Sequence, residues 1–235
     1  VTVDIPAGVC TDAAGNPNTA ASQFSITYDS TSPNMTITAS EGIDGFTSND
    51  ATLSLTFTAS EATTNFVVGD ITVTNGALSS FSATSSTVYT ATFTPTADGA
   101  VTIDVAATTF TDASSNNNTA ADQFNWNYDG TAPTIVFSPT NGSVGVALNT
   151  NITLTFNEPI RNSDNSALTD DNVDALIRLK TPIHSGADIG FDATIDLTKK
   201  VITVNPTTDF SFSQTVYVGI GESVEDSVNN AIISA

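Results

Sequence analysis

Along most of this chain apolar residues alternate with serine and threonine. Leu53, Leu55 and Phe57 are separated by Ser54 and Thr56, and Ile152, Leu154 and Phe156 by Thr153 and Thr155. A period of two places every second side chain on one face, as in a strand half-buried against a core. The pattern predicts strands at Val1–Ile5 and Gln23–Tyr28, then at Phe66–Val68, Ile71–Val73, Leu78–Phe81, Tyr89–Phe93, Val101–Val105 and Gln123–Tyr128. It returns at Leu176–Leu179, Phe191–Ile195, Val201–Val204 and Val216–Ile220. Asn75-Gly76 marks a tight turn, because both residues tolerate positive φ. Asp164–Asp174 is polar enough for a loop or one helical turn, and no segment carries a sustained helical period. Short strands at a spacing of about ten residues predict an all-β fold built of antiparallel β-sandwiches.

The pattern also repeats on a larger scale. Residues 1–33 and 101–133 are identical at 18 of 33 positions without a gap, so Tyr28-Asp29 falls on Tyr128-Asp129 at a period of 100 residues. Each copy ends in Asp-x-Thr-x-Pro, which reads as a hinge between beads on a string. On this basis residues 1–32 are the last two strands of one domain and residues 33–130 are a complete sandwich. Residues 131–235 are a sandwich lacking its last strand, since nothing there corresponds to Gln123–Tyr128. Cys10 aligns with Phe110 at an apolar position, so a buried thiol is expected rather than a reactive one.

Charge narrows the partners. Twenty-five acidic residues face five basic ones, none of them before Arg161, for a formal net charge of −20. Nucleic acid is excluded, because phosphate binding needs a basic footprint. Docking on anionic lipid is disfavoured for the same reason. No apolar run approaches the roughly 20 residues needed for membrane insertion. A self-repelling surface of this kind is commonly offset by divalent cations.

Several motifs carry a family resemblance. Residues 33–130 hold Phe57-x3-Glu61, Asp70-Ile71-x-Val73-x-Asn75-Gly76, Phe110-Thr111-Asp112 and Tyr128-Asp129-x-Thr131-x-Pro133. They resemble a bacterial immunoglobulin-like repeat of the kind strung together in large surface adhesins. Residues 138–235 hold Ser138-Pro139-x-Asn141-Gly142, Asn151-Ile152-Thr153-Leu154-Thr155-Phe156-x-Glu158-Pro159 and a turn at Asp226. They are similar to the immunoglobulin-like domain of S-layer and many secreted proteins. The resemblance implies tandem immunoglobulin-like sandwiches, which act mostly as spacers and stalks.

Catalysis finds little support. His184 is the sole histidine, no carboxylate lies at triad spacing around it, and no nucleophile elbow surrounds a serine. Immunoglobulin topology gives some carboxylates more meaning than others. The loop after the second strand and the loop before the last strand share the pole where the chain enters. Asp29, Glu61 and Asp112 therefore gather at one junction, and Asp129, Glu158 and Asp226 at the next. Three carboxylates with backbone carbonyls suit a calcium ion that would stiffen the hinge. The competing reading makes each Asp a turn former bonded to its own backbone.

Sequons for N-glycosylation occur at Asn34, Asn117, Asn141 and Asn151, so the chain is a candidate glycoprotein. The incomplete outer domains admit two readings. Either the sequence is a stretch of a longer repeat protein, or residues near Gln23–Tyr28 of one copy complete the third domain of a neighbour, head to tail. The expectation is a non-enzymatic extracellular structural protein: a rod or filament from an adhesin, surface layer or fibre, facing a surface target still to be identified. The alternatives are a ligand- or carbohydrate-binding module, or a spacer region of a larger secreted enzyme.

Overall fold

The computed structural model describes residues 1–221 and 224–232. The first strands, β1 (Thr2–Val3) and β2 (Phe24–Ser25), pair antiparallel as an isolated two-stranded ladder. Val1, Val3, Ile5, Phe24, Ile26 and Tyr28 are all exposed on it. Their repeat partners Val101, Ile103, Val105, Phe124 and Trp126 are each no more than 3% exposed. Cys10 is likewise exposed, whereas its partner Phe110 is buried. The repeat alignment transferred the residue type correctly but not its burial, because among the described residues no second sheet lies over residues 1–28.

The next eight strands form a two-layer sandwich. They are β3 (Met35–Ala39), β4 (Phe46–Ser48), β5 (Leu53–Ala59), β6 (Ile71–Val73), β7 (Gly76–Ala83), β8 (Val88–Pro95), β9 (Gly99–Val105) and β10 (Phe124–Tyr128). One sheet runs β3-β5-β8-β7 and the other β4-β10-β9-β6. All pairs are antiparallel except β4 with β10, where Trp126 lies opposite Phe46 in a parallel register. Leu53, Leu55 and Phe57 from one sheet meet Val101, Ile103 and Trp126 from the other in a single core. Asn75 takes the expected positive φ of 54° before β7. Phe66-Val67-Val68 is no strand. Val68–Asp70 forms a 3-10 turn, and Phe66 plugs the core against Phe57, Phe81, Tyr89 and Phe110.

Residues 135–232 repeat the scheme with β11 (Ile135–Ser138), β12 (Ile152–Phe156), β13 (Arg161–Asn162), β14 (Ile177–Thr181) and β15 (Ala187–Asp188). They continue with β16 (Phe191–Ile195), β17 (Val201–Pro206), β18 (Tyr217–Ile220) and β19 (Val224–Glu225). The sheet β11-β12-β17-β16 packs on β15-β14-β18, and β13 pairs with β19. A single helical turn, α1 (Asp170–Val173), lies beside β16. The carboxylates of Asp170 and Asp174 accept the backbone N–H groups of Ile195 and Ala193 at 2.8 and 2.7 Å. Those bonds cap the outer edge of the sheet with negative charge, a common guard against edge-to-edge pairing. No described helix is long and apolar enough to cross a membrane.

Candidate metal centre at the domain junctions

In each unit one turn is built by a single aspartate: Asp12, Asp112 or Asp226. Asp112 Oδ1 accepts the N–H groups of Ser114 and Asn116, both at 2.8 Å, and Oδ2 accepts the Asn116 amide at 2.9 Å. Asp226 does the same with Val228 and Asn230, at 2.8, 2.9 and 2.7 Å. Asp12 does so with Ala14 and Asn16 in residues 1–28. A short polar side chain that bonds its own backbone makes the turn tight.

The loop after the second strand is fixed to that turn. Thr63 bridges Asp112, Tyr89 donates its hydroxyl to the Thr63 carbonyl at 2.9 Å, and Asn65 bonds Thr111 through both ends of its amide. In the following unit β13 is zipped to β19, with Arg161 opposite Glu225 and their side chains 3.1 Å apart. The hinge then closes the arrangement. Asp29 caps its own turn through the Thr31 N–H at 3.0 Å, and Asp129 does so through Thr131 at 3.3 Å.

These contacts bring Asp29, Glu61 and Asp112 together, and likewise Asp129, Glu158 and Asp226. In each trio one carboxylate oxygen per residue lies within 4.8 Å of the others. Two oxygens that each sit about 2.4 Å from a calcium ion can be at most about 4.8 Å apart, so the spacing suits one ion. Asp112 and Asp226 are buried, and the other four are half-buried.

Glu61 carries the strain of the first trio. Burial, then the charges of Asp29 and Asp112, push its carboxyl above the usual value of 4.5. Its Oε1 is buried with no hydrogen-bond partner among the described residues. A buried carboxylate oxygen without a donor is costly unless a cation serves it. Glu158 is raised by burial and by Asp129 and Asp226, but Asn157 and Lys200 draw it part of the way back. Burial works to raise Asp112 too, yet the Asn116 amide and the backbone N–H groups outweigh it and hold that carboxyl below 3.8. The turn-former reading and the ligand reading are thus compatible for the aspartates; the glutamates have no turn to make.

Sequence reasoning missed three polar residues that grip the hinges. Asn116 and Asn230 each donate a second amide bond, to the backbone oxygens of Asp29 at 3.3 Å and Asp129 at 2.8 Å. Asp98, from the β8–β9 turn, accepts the Gly130 N–H at 2.7 Å and the Thr131 hydroxyl. The four-residue Asp-to-Asn spacing, present in all three units, was the available signal for the asparagines. Asp98 had none. Asn34, Asn117, Asn141 and Asn151 are all exposed, and His184 is an exposed turn residue against Tyr217.

The two sandwich units match known families. A family model described as a bacterial Ig-like domain matches residues 29–128, and a second model of the same description matches residues 129–235. The chain belongs to the bacterial Ig-like domains. Among solved structures, that of the Yersinia pseudotuberculosis adhesin InvE is similar at 16% identity and a TM-score of 0.29, covering 86% of this chain and 58% of that one. The N-terminal part of the bacterial S-layer protein SbsC is similar at 12% identity and a TM-score of 0.29, covering 79% of this chain and 43% of that one. The Ig-like chain therefore spans well under two thirds of either structure. No curated protein matches it.

Proposed function

We propose that this chain is part of a non-enzymatic, extracellular surface structure, a rod of Ig-like domains whose junctions are stiffened by calcium. The observation that carries the metal is Glu61, a carboxylate with a buried, unpartnered oxygen beside two further carboxylates at ion-binding spacing. Calcium takes six to eight oxygens, so backbone carbonyls and water complete such a shell. An ion held by Asp29, Glu61 and Asp112 ties the hinge to the domain that follows, and Asp129, Glu158 and Asp226 repeat the device. The acidic surface supports the same reading, since divalent calcium at extracellular concentrations would offset its self-repulsion. Glycans on Asn34, Asn117, Asn141 and Asn151, head-to-tail joining of copies and attachment to a surface target belong to this reading.

Isothermal titration on the whole chain tests it. Heat that saturates at two ions per chain, with one lost in Glu61→Gln and the other in Glu158→Gln, is the expected result. No heat at millimolar calcium overturns the metal. Small-angle scattering then reads the mechanics: calcium narrows the distribution of end-to-end distances if the junctions stiffen.

A further inference from the structure

The tripeptide Thr-Asn-Gly occurs twice, at Thr74-Asn75-Gly76 and at Thr140-Asn141-Gly142, and the fold treats the two copies differently. Asn75 leads into β7 and is held by its side chain. The amide donates to the Ala97 carbonyl at 2.8 Å, and its oxygen accepts the Thr96 hydroxyl at 3.2 Å. Gly76 is closed in by the Phe93 ring and the Thr94 carbonyl, which an added Cβ would strike. Asn141 and Gly142 lie in an exposed turn that is set by its own four residues. The Ser143 N–H bonds the Thr140 carbonyl at 3.1 Å, and the Thr140 and Ser143 hydroxyls lie 3.1 Å apart. Gly142 has a φ of 80° and open space where a Cβ would stand. Among the described residues its N–H has no backbone acceptor.

Identical neighbours give the two asparagines the same intrinsic reactivity, so the difference between them comes from the fold. We propose that Asn141 is a site of spontaneous modification, converted through a cyclic imide to aspartate and isoaspartate, while the fold protects Asn75. The Gly142 backbone nitrogen gives its proton to solvent and attacks Cγ of Asn141. The new N–Cγ bond closes a five-membered ring as the Cγ–Nδ2 bond breaks, and Nδ2 takes up a proton and leaves as ammonia. Water then opens the ring at either carbonyl. One water is consumed and one ammonia released, with no change of oxidation state. Either product adds a negative charge to a chain already at −20. Isoaspartate also lengthens the backbone by one carbon inside the turn, so the Ser143-to-Thr140 bond is lost. Asn141-Gly142-Ser143 is a sequon as well, and a glycan would occupy the same Nδ2 and block its departure. Glycan and imide are thus competing fates of one atom. The inference is independent of calcium.

The whole chain, made without glycans, is aged at mildly alkaline pH and read by peptide mass spectrometry. Isoaspartate is labelled separately with an isoaspartyl methyltransferase and S-adenosylmethionine. Residue 141 should gain the mass of one amide-to-acid exchange and accept the methyl label. Residue 75 should convert about tenfold more slowly, because two hydrogen bonds must break before its amide can turn. In denaturant both tripeptides are open and should age alike. Asn141→Gln keeps an amide but needs a six-membered ring, so conversion there should stop. Thr96→Val removes one bond from Asn75 and should speed ageing at residue 75 while leaving residue 141 unchanged. No conversion at residue 141, equal native rates at the two sites, or a difference that persists in denaturant overturns the proposal.

Discussion

The two domain junctions use the same three acidic positions and arrive at different states. At the first, among the described residues no basic group offsets the charges acting on Glu61, and its Oε1 has no donor. At the second, the charge of Lys200 partly relieves Glu158, and its ammonium bonds the Asn157 carbonyl at 3.0 Å. The hinges differ as well. Asp129–Thr131 is gripped from the preceding domain by Asp98 and from the following one by Asn230. Asn49 of the preceding domain also donates to the Asn230 oxygen at 3.1 Å, a direct bond between the two sandwiches. Gly130 lets the hinge pass the Tyr128 hydroxyl, where an added Cβ would collide. The first hinge has Ser30 there. Three shared carboxylates alone do not define a joint: the first leaves a glutamate oxygen without a donor, and the second is largely assembled from protein groups.

The largest blow to this comparison comes from Asp226→Ala. Three bonds to a buried carboxylate are lost, so the second domain should lose about 2–3 kcal/mol in chemical denaturation. The first domain should melt as before. Next comes the charge difference. Lys200→Met should tighten calcium at the second junction about fivefold by titration, since one partly exposed like charge costs roughly 1 kcal/mol. The first junction should not change.

Acidity separates the junctions more gently. A carboxyl whose folded value is raised opposes folding once it ionises, so its stabilising effect is present below 4.5 and fades as pH rises through its raised value. Asp112 is the reverse: its contribution is present above 3.8 and is lost as pH falls through its lowered value. In chelator the first domain's Tm should therefore rise as pH falls from 7 toward 4.5 and drop again below 3.8. Glu61→Gln should flatten the upper limb. Glu158→Gln should flatten the corresponding rise of the second domain. The smallest effect is expected for Asn49→Ala, at most about 0.5 kcal/mol for one partly exposed neutral bond. Scattering should still detect a wider spread of inter-domain angles.

Much of this was legible in the chain. Alternation at Leu53–Phe57 and Ile152–Phe156 set the core strands, because a half-buried strand needs a period of two. The repeat and the fold's loop topology brought six distant carboxylates into two trios, which spacing along the chain does not suggest. What escaped has physical causes. Phe46-Thr47-Ser48 is too short to alternate visibly, so β4 and its parallel pairing were missed. Phe66-Val67-Val68 is apolar because Phe66 fills a hole between sheets, and an apolar run alone does not distinguish a plug from a strand. Lys200 reaches its junction from a hairpin 42 residues beyond Glu158, a relation that only the folded register creates.

Asn230 holds the second joint through an amide that points at two oxygens, Asp129 O and Asp226 Oδ2. That amide is chemically perishable. Hydrolysis to aspartate would replace a donor with a negative oxygen and set three acceptors against one another, so Asn230→Asp should loosen the hinge more than Asn230→Ala does. The stiffness of this joint would then have a shelf life, written into one side chain and running down with age rather than with force.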